Sequence, residues 1–244
     1  MPLAELFACL LVIAGGYVVL GLTGFGSALT IVPILAQWLP LTEVVATVLA
    51  LDIFACLLLG AVSFRQVVWR ELLGLVPGVV LGALLGILLP GYVPAALLLG
   101  VLAILIIAFA IRGLLLARLP VLATRRLAGP AGVAAGVIES LFGVAGPVVV
   151  MYLGGRIRDP DRLRPTVVVA VLGVSIGALT AITLNTSLPT GERLWLLAGG
   201  AAVVPPALYA GTRLARRLGP MRIIRIIHLL LASGGALLLR AFIS

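Results

Sequence analysis

The chain has 244 residues, of which 63% are hydrophobic and only 10% are charged, and its mean hydropathy is +1.31. This composition excludes a soluble domain, because run after run of about 20 residues carries no charge to face water. The net charge of +9 comes from 17 arginines and no lysine, set against eight acids. Arginines of a membrane protein collect in cytoplasmic loops, so we interpret the charge as a topology signal and expect no nucleic acid partner.

Hydropathy predicts a series of apolar segments joined by short loops. In chain order they are 3–39, 43–62, 72–89, 93–116, 128–154, 164–184, 194–212 and 222–241. No polar stretch between them is long enough to fold separately. We therefore predict one all-α polytopic membrane domain over residues 1–244.

Four arginine clusters predict how these segments cross the membrane. The clusters are Arg65 with Arg70, and the stretches 112–126, 156–164 and 213–225, which together hold 15 of the 17 arginines. If all four are cytoplasmic, segment 128–154 must enter and leave on the same side, because a single crossing would put a cluster on the wrong face. Each arm of such a hairpin has about a dozen residues and reaches about 18 Å into a core about 30 Å thick.

Glycines mark the turn of that hairpin and of a similar one at the start of the chain. The sequence GVIESLFGVAGP occupies 136–147, and GLTGFG at 21–26 interrupts a first segment that is too long for one span. We predict a broken hairpin plus three transmembrane helices, twice, over residues 1–116 and 128–244. Three crossings is an odd number, so the second half is inverted relative to the first.

An internal repeat supports the two halves. GFGSALTIVPIL at 24–35 aligns with LFGVAGPVVVMY at 141–152, which matches Phe25 with Phe142 and Gly26 with Gly143. Paired interruptions in inverted halves are typical of a midplane binding site in a secondary transporter. The alternative is that the glycines only allow close helix packing, which is our interpretation of Gly78, Gly82 and Gly86.

The helix N-terminus at the start of each second arm predicts that the ligand is negatively charged. These arms begin near Ser27 and near Pro147, and a helix that begins at a break directs N–H groups and about half a positive charge at the cavity. Pro147 suits a first helical turn, where its missing N–H would be unpaired anyway. We therefore expect a small anion.

Two blocks of the sequence resemble the signature blocks of the TauE/SafE family of sulfite exporters. They are GLTGFGSALTIVPIL followed by EVVATVLALD, and GVIESLFGVAGPVVVMYL followed by RLRPTVVVAV. The resemblance spans nearly the whole chain. It implies a bacterial inner-membrane transporter of sulfite or small organosulfonates, with the glycine-rich blocks lining the pathway. This chain departs from the family pattern at 26–28, where GSA replaces GGG, and at 143–147, where GVAGP replaces GIGGP.

The breaks supply the candidate substrate-binding residues. The predicted set is Gly24, Phe25, Gly26, Ser27, Ser140, Phe142, Gly143, Gly146 and Pro147. The serines among them either donate to substrate oxygens or bond their own helix backbone. The two phenylalanines either set the width of the pathway or pack in the core.

Two acids at membrane depth are the candidate coupling groups. Asp52 lies midway along its segment, where inserting an acid into the membrane costs at least about 2.5 kcal/mol. An acid at that depth has either a functional role or a hydrogen-bonded packing role. Glu139 lies at the second turn. It either carries a proton in step with the substrate or caps backbone N–H groups of the turn.

The function predicted from these features is secondary transport of a sulfur-containing anion by alternating access. The alternatives are a membrane-embedded lipid-modifying enzyme and an anion channel. One histidine and two isolated cysteines argue against a catalytic or metal cluster, so we expect no enzyme activity, cofactor or metal. We expect membrane lipids around the chain and the arginine-rich loops on the cytoplasmic side of the inner membrane.

Overall fold

The computed structural model describes residues 3–60, 64–89, 92–115, 124–185 and 192–217. Within these ranges it is all-helical and has no strand, as predicted. Its α-helices are α1 (Leu3–Thr23), α2 (Ser27–Leu35), α3 (Leu41–Gly60), α4 (Trp69–Leu88), α5 (Ala95–Leu115), α6 (Ala128–Phe142), α7 (Gly146–Arg156), α8 (Pro160–Asn185) and α9 (Glu192–Arg217). The predicted segment 222–241 lies outside the described residues.

The two predicted interruptions are confirmed as breaks between helices. A first break, residues 24–26, separates α1 from α2, and a second break, residues 143–145, separates α6 from α7. The arms of the first pair are unequal, with 21 and 9 residues. α3, α4 and α5 follow the first pair, and α8 and α9 follow the second.

Five helices of the described chain are long and apolar enough to cross a membrane. They are found within α1, α3, α4, α8 and α9. Helices suit this environment because all their backbone hydrogen bonds are made within the segment. These five candidate spans correspond to the first arm of segment 3–39 and to the predicted segments 43–62, 72–89, 164–184 and 194–212.

Glycines with positive φ allow the chain to leave the helix at each break. The φ angles are +87° at Gly24, +95° at Gly26 and +69° at Gly143. A side chain disfavours this left-handed region by roughly 1–2 kcal/mol, whereas glycine enters it freely. Gly26 and Gly143 are the residues that the internal repeat matches, so equivalent positions adopt the same unusual conformation.

Two helix pairs approach so closely that their backbones touch. α4 lies along α6, and α1 lies along α9. A Cβ added to Gly82 would come within 2.2 Å of the Val133 carbonyl oxygen, and one added to Gly211 within 2.3 Å of the Val18 carbonyl oxygen. Glycine permits this approach, which gains van der Waals contact that lipid does not supply. Gly78 and Gly82 therefore contribute to packing, as interpreted from the sequence.

Candidate functional site at the two helix breaks

One cavity joins the two breaks near the centre of the helix bundle. Its lining residues are Leu20, Phe25, Gly26, Ser27, Ala28, Leu29, Asp52, Glu139, Gly143, Val144, Gly146, Pro147 and Val171. The cavity volume is about 10 Å³, which is near the minimum that one water molecule needs. The arrangement is therefore a narrow site lined by residues from both halves of the chain.

The N-termini of two short helices meet at this cavity. α2 begins at Ser27 directly after Gly26, and α7 begins at Gly146 with Pro147 in its first turn. The first backbone N–H groups of a helix have no partner within it, and the helix dipole adds a partial positive charge there. Two such ends give the cavity a positive character without a basic side chain.

Asp52 of α3 is buried in the cavity wall with 3% of its surface exposed. Its Oδ1 accepts two hydrogen bonds, one from the Tyr17 hydroxyl at 2.8 Å and one from the Ser27 hydroxyl at 2.7 Å. These bonds join α1, α2 and α3. Hydrogen bonds of this kind offset part of the large cost of moving a carboxyl group out of water.

Glu139 of α6 also lines this cavity and is buried, with 1% of its surface exposed. Its Oε2 accepts the Ala145 backbone N–H at 2.5 Å, and its Oε1 accepts the Ser175 hydroxyl. Ala145 is the N-cap residue of α7. The capping alternative for Glu139 is thus observed, while its role as a proton carrier stays a prediction.

Neither carboxyl group is paired with an arginine in the described part of the chain. The ion pairs there join Arg156 to Glu71 at 2.7 Å and Arg162 to Asp159 at 3.6 Å. The fixed groups that face the cavity are therefore two helix N-termini and two carboxyls.

Most of the predicted site residues come together here. Phe25, Gly26, Ser27, Gly143, Gly146 and Pro147 line the cavity with both acids. Three others lie elsewhere. Gly24 contacts the aliphatic part of Arg164, Ser140 lies against Gly86 of α4, and Phe142 is in the hydrophobic core. The Ser140 hydroxyl has no hydrogen-bond partner among the described residues. A role of these three in substrate binding stays a prediction.

Tyr17 and Ser175 are the polar residues of the site that sequence reasoning missed. Each donates a hydrogen bond to one of the buried acids. Both lie inside uncharged helical segments, where a polar side chain must find a partner within the protein. Their position in uncharged segments can be seen in the sequence, but it does not show which acid each residue hydrogen-bonds to.

A second polar cluster lies between α4 and α7. Arg156 donates through Nη2 to Glu71 Oε1 at 2.7 Å and through Nε to Oε2 at 3.1 Å, and the Tyr152 hydroxyl donates to Oε2 at 3.2 Å. At the first break, Arg164 Nη2 donates to the Gly21 carbonyl oxygen at 2.6 Å. Arg164 thus binds the last turn of α1 before the first break, whereas Arg156 joins α7 to α4.

Comparison with known proteins agrees with this architecture. Residues 8–238 match the model of a family described as sulfite exporter TauE/SafE. The chain is 33% identical over 192 residues to a protein of Comamonas testosteroni named "Probable inner membrane transporter protein TsaS". That alignment covers 77% of this chain and 79% of the relative. No solved structure matches the chain.

Proposed function

This chain belongs to the sulfite exporter TauE/SafE family of membrane transporters, and we propose that it is a secondary transporter of a small sulfur-containing anion such as sulfite or an organosulfonate. The observation that carries the proposal is the cavity in which the N-termini of α2 and α7 meet. The relative is named as an inner membrane transporter. We extend that location to this chain, with the arginine-rich loops in the cytoplasm.

The chemistry of the cavity suits an oxyanion with several acceptor oxygens. Two helix ends supply positive potential, and the Ser27 hydroxyl supplies a donor. A cation would be repelled by the partial positive charge at the N-termini of both helices. We therefore take the breaks to be the anion site, formed by Phe25, Gly26, Gly143 and the first turns of α2 and α7.

Helix pairing supports two equivalent halves. The internal repeat makes α1 of the first half equivalent to α6 of the second, and α4 equivalent to α9. The contact of α4 with α6 is then equivalent to the contact of α9 with α1. These two contacts are the most extensive between the described helices. In the same way, the contact of α4 with α8 is equivalent to that of α9 with α3, which is also present. This pattern favours alternating access by movement of one half against the other.

The size of the cavity favours a carrier over a channel. Sulfite has four non-hydrogen atoms, whereas the cavity is near the size of one water molecule. The substrate enters only after the helices around the breaks move apart. A carrier that alternates between closed and open states has this property, whereas a conducting channel holds a continuous path.

Transport into proteoliposomes tests the proposal. Uptake of labelled sulfite should saturate, should be competed by ethanesulfonate and not by sodium or potassium, and should respond to an imposed pH gradient. Asp52→Asn should abolish or uncouple uptake while expression is kept. Competition by cations alone would contradict the anion site, and steady ionic current without saturation would favour the channel.

A further inference from the structure

Two hydrogen-bond donors at the helix breaks that flank the cavity are bound to the protein's own acids. The Ser27 hydroxyl donates to Asp52 Oδ1 at 2.7 Å, and the Ala145 N–H at the start of α7 donates to Glu139 Oε2 at 2.5 Å. Asp52 comes from the first half of the chain and Glu139 from the second. Each half thus places one carboxyl group at the helix N-terminus that its break creates.

A hydroxyl group and a backbone N–H each have one proton to donate. A sulfonate or sulfite oxygen that takes either donor must displace the carboxyl oxygen from it. Two ionised carboxylates beside a bound anion would also repel it strongly, because charge interactions are large in a water-poor site. Anion binding and ionised acids therefore exclude one another in this cavity.

No cationic side chain interacts with either acid in the part of the chain that the structure describes. The titratable groups that interact with Asp52 are Tyr17 of α1, Cys56 one turn further along α3, and Glu139 of α6. Glu139 interacts in turn with Asp52 and Cys56, and none of these partners is a cation. Protonation of the acids is therefore the way in which these groups themselves can lose their negative charge.

We propose that Asp52 and Glu139 are internal competitors of the substrate anion, and that the anion binds as each acid takes up a proton from the water on the open side. The inference rests on the proposed function. The proton forms an O–H bond on the carboxyl group, and the Ser27 hydroxyl and the Ala145 N–H are released to the anion. No covalent bond to the substrate forms or breaks. A protonated carboxyl is also a donor, so a former competitor becomes a ligand.

Calorimetric titration of the purified protein with ethanesulfonate tests the proposal. The charge of this probe does not change between mildly acidic and mildly alkaline pH, so any pH dependence comes from the protein. Titrations in buffers of different ionisation enthalpy count the protons taken up. We expect wild-type affinity to fall as pH rises, by up to about tenfold per pH unit for each proton coupled to binding. Asp52→Asn and Glu139→Gln should each lower proton uptake by one.

Tyr17→Phe and Ser27→Ala form a matched pair, because each removes one hydrogen bond to the same atom of Asp52. Only Ser27 lines the cavity. Ser27→Ala should weaken ethanesulfonate binding by about tenfold, the loss expected for a hydrogen bond to a charged group. Tyr17→Phe should weaken ethanesulfonate binding less than Ser27→Ala does, because the Tyr17 hydroxyl supports Asp52 from outside the cavity lining. Equal weakening by both variants would contradict the assignment of Ser27 as a released donor.

The wild-type titration decides the inference even where a variant fails to fold, which thermal unfolding in detergent will show. Ethanesulfonate binding without proton uptake would overturn the inference and leave the proposed function intact. No binding of ethanesulfonate or sulfite at any pH would contradict both.

Discussion

Phe25 lies directly against Gly146, because a Cβ added to Gly146 would come within 3.0 Å of both Cβ and Cδ2 of Phe25. The two residues are 121 positions apart in the numbering and belong to different halves of the chain. Their contact joins the first break to the N-terminus of α7 at the wall of the cavity. The two breaks therefore form one site.

Gly146→Ala should reduce transport and destabilise the protein by about 1–3 kcal/mol, the usual cost of forcing extra atoms into a packed interior. Thermal unfolding in detergent and sulfite uptake into proteoliposomes measure the two effects. Phe25→Ala removes the Cδ2 contact and keeps the Cβ contact, so it should relieve part of the clash. The double variant Phe25→Ala with Gly146→Ala should therefore be more stable than the sum of the single effects predicts.

Gly154→Ala is the matched control in the same helix. A Cβ at Gly154 meets no atom within 4 Å, and alanine has the higher helix propensity by about 1 kcal/mol. We expect this variant to transport like the wild type. Equal losses at both positions would show that α7 tolerates no alanine and that contact with Phe25 is not the cause.

The positive φ of Gly143 predicts that a side chain there costs conformational free energy even though there is room for it. A Cβ there would meet its nearest neighbour, Ala28, at 3.8 Å, which is ordinary contact. Gly143→Ala should therefore destabilise by about 1–2 kcal/mol through φ alone. Gly143→Asn should cost less, because asparagine enters the left-handed region more readily.

The comparison of alanine with asparagine is made by unfolding in detergent. Gly173→Ala in α8, which meets no atom within 4 Å, controls for a general effect of replacing glycine. If asparagine proves worse than alanine at Gly143, polarity or size and not φ governs that position.

The Arg156–Glu71 pair predicts a second stabilising contact, between the second short helix and α4. Arg156→Gln should destabilise the protein modestly, because it leaves the buried Glu71 carboxylate without its guanidinium partner, while the exposure of Arg156 weakens the pair. The exposed neighbour Arg158 is the control, and Arg158→Gln should have a smaller effect. A double-mutant cycle with Glu71→Gln isolates the pair, and a coupling energy near zero would contradict it.

The second broken hairpin predicts the sidedness of two loops. Single cysteines at Arg126 and at Arg158 should both be labelled from the cytoplasmic side by a reagent that does not cross membranes. The native cysteines, Cys9 and Cys56, are buried and should give little background. Labelling of the two positions from opposite sides would mean that residues 128–154 cross the membrane once.

The order of helices was predictable because it depends on local properties of the chain. Hydropathy sums the transfer of each residue from water to lipid, so it located α3, α4 and α8 within a few residues. Glycine runs predicted both breaks, since positive φ at Gly26 and Gly143 is a property of single residues. The start of α2 at Ser27 followed from the same signal.

What only the tertiary structure decided is which polar groups meet. Tyr17 and Asp52 are 35 residues apart, Ser175 and Glu139 are 36 apart, and Arg156 and Glu71 are 85 apart. A hydrogen bond depends on how each helix is rotated and how far it slides along its neighbour, and hydropathy reports neither. By itself the sequence determined a membrane domain with two breaks and two acids at depth. The packing of the helices brought those acids to the N-termini where an anion would bind.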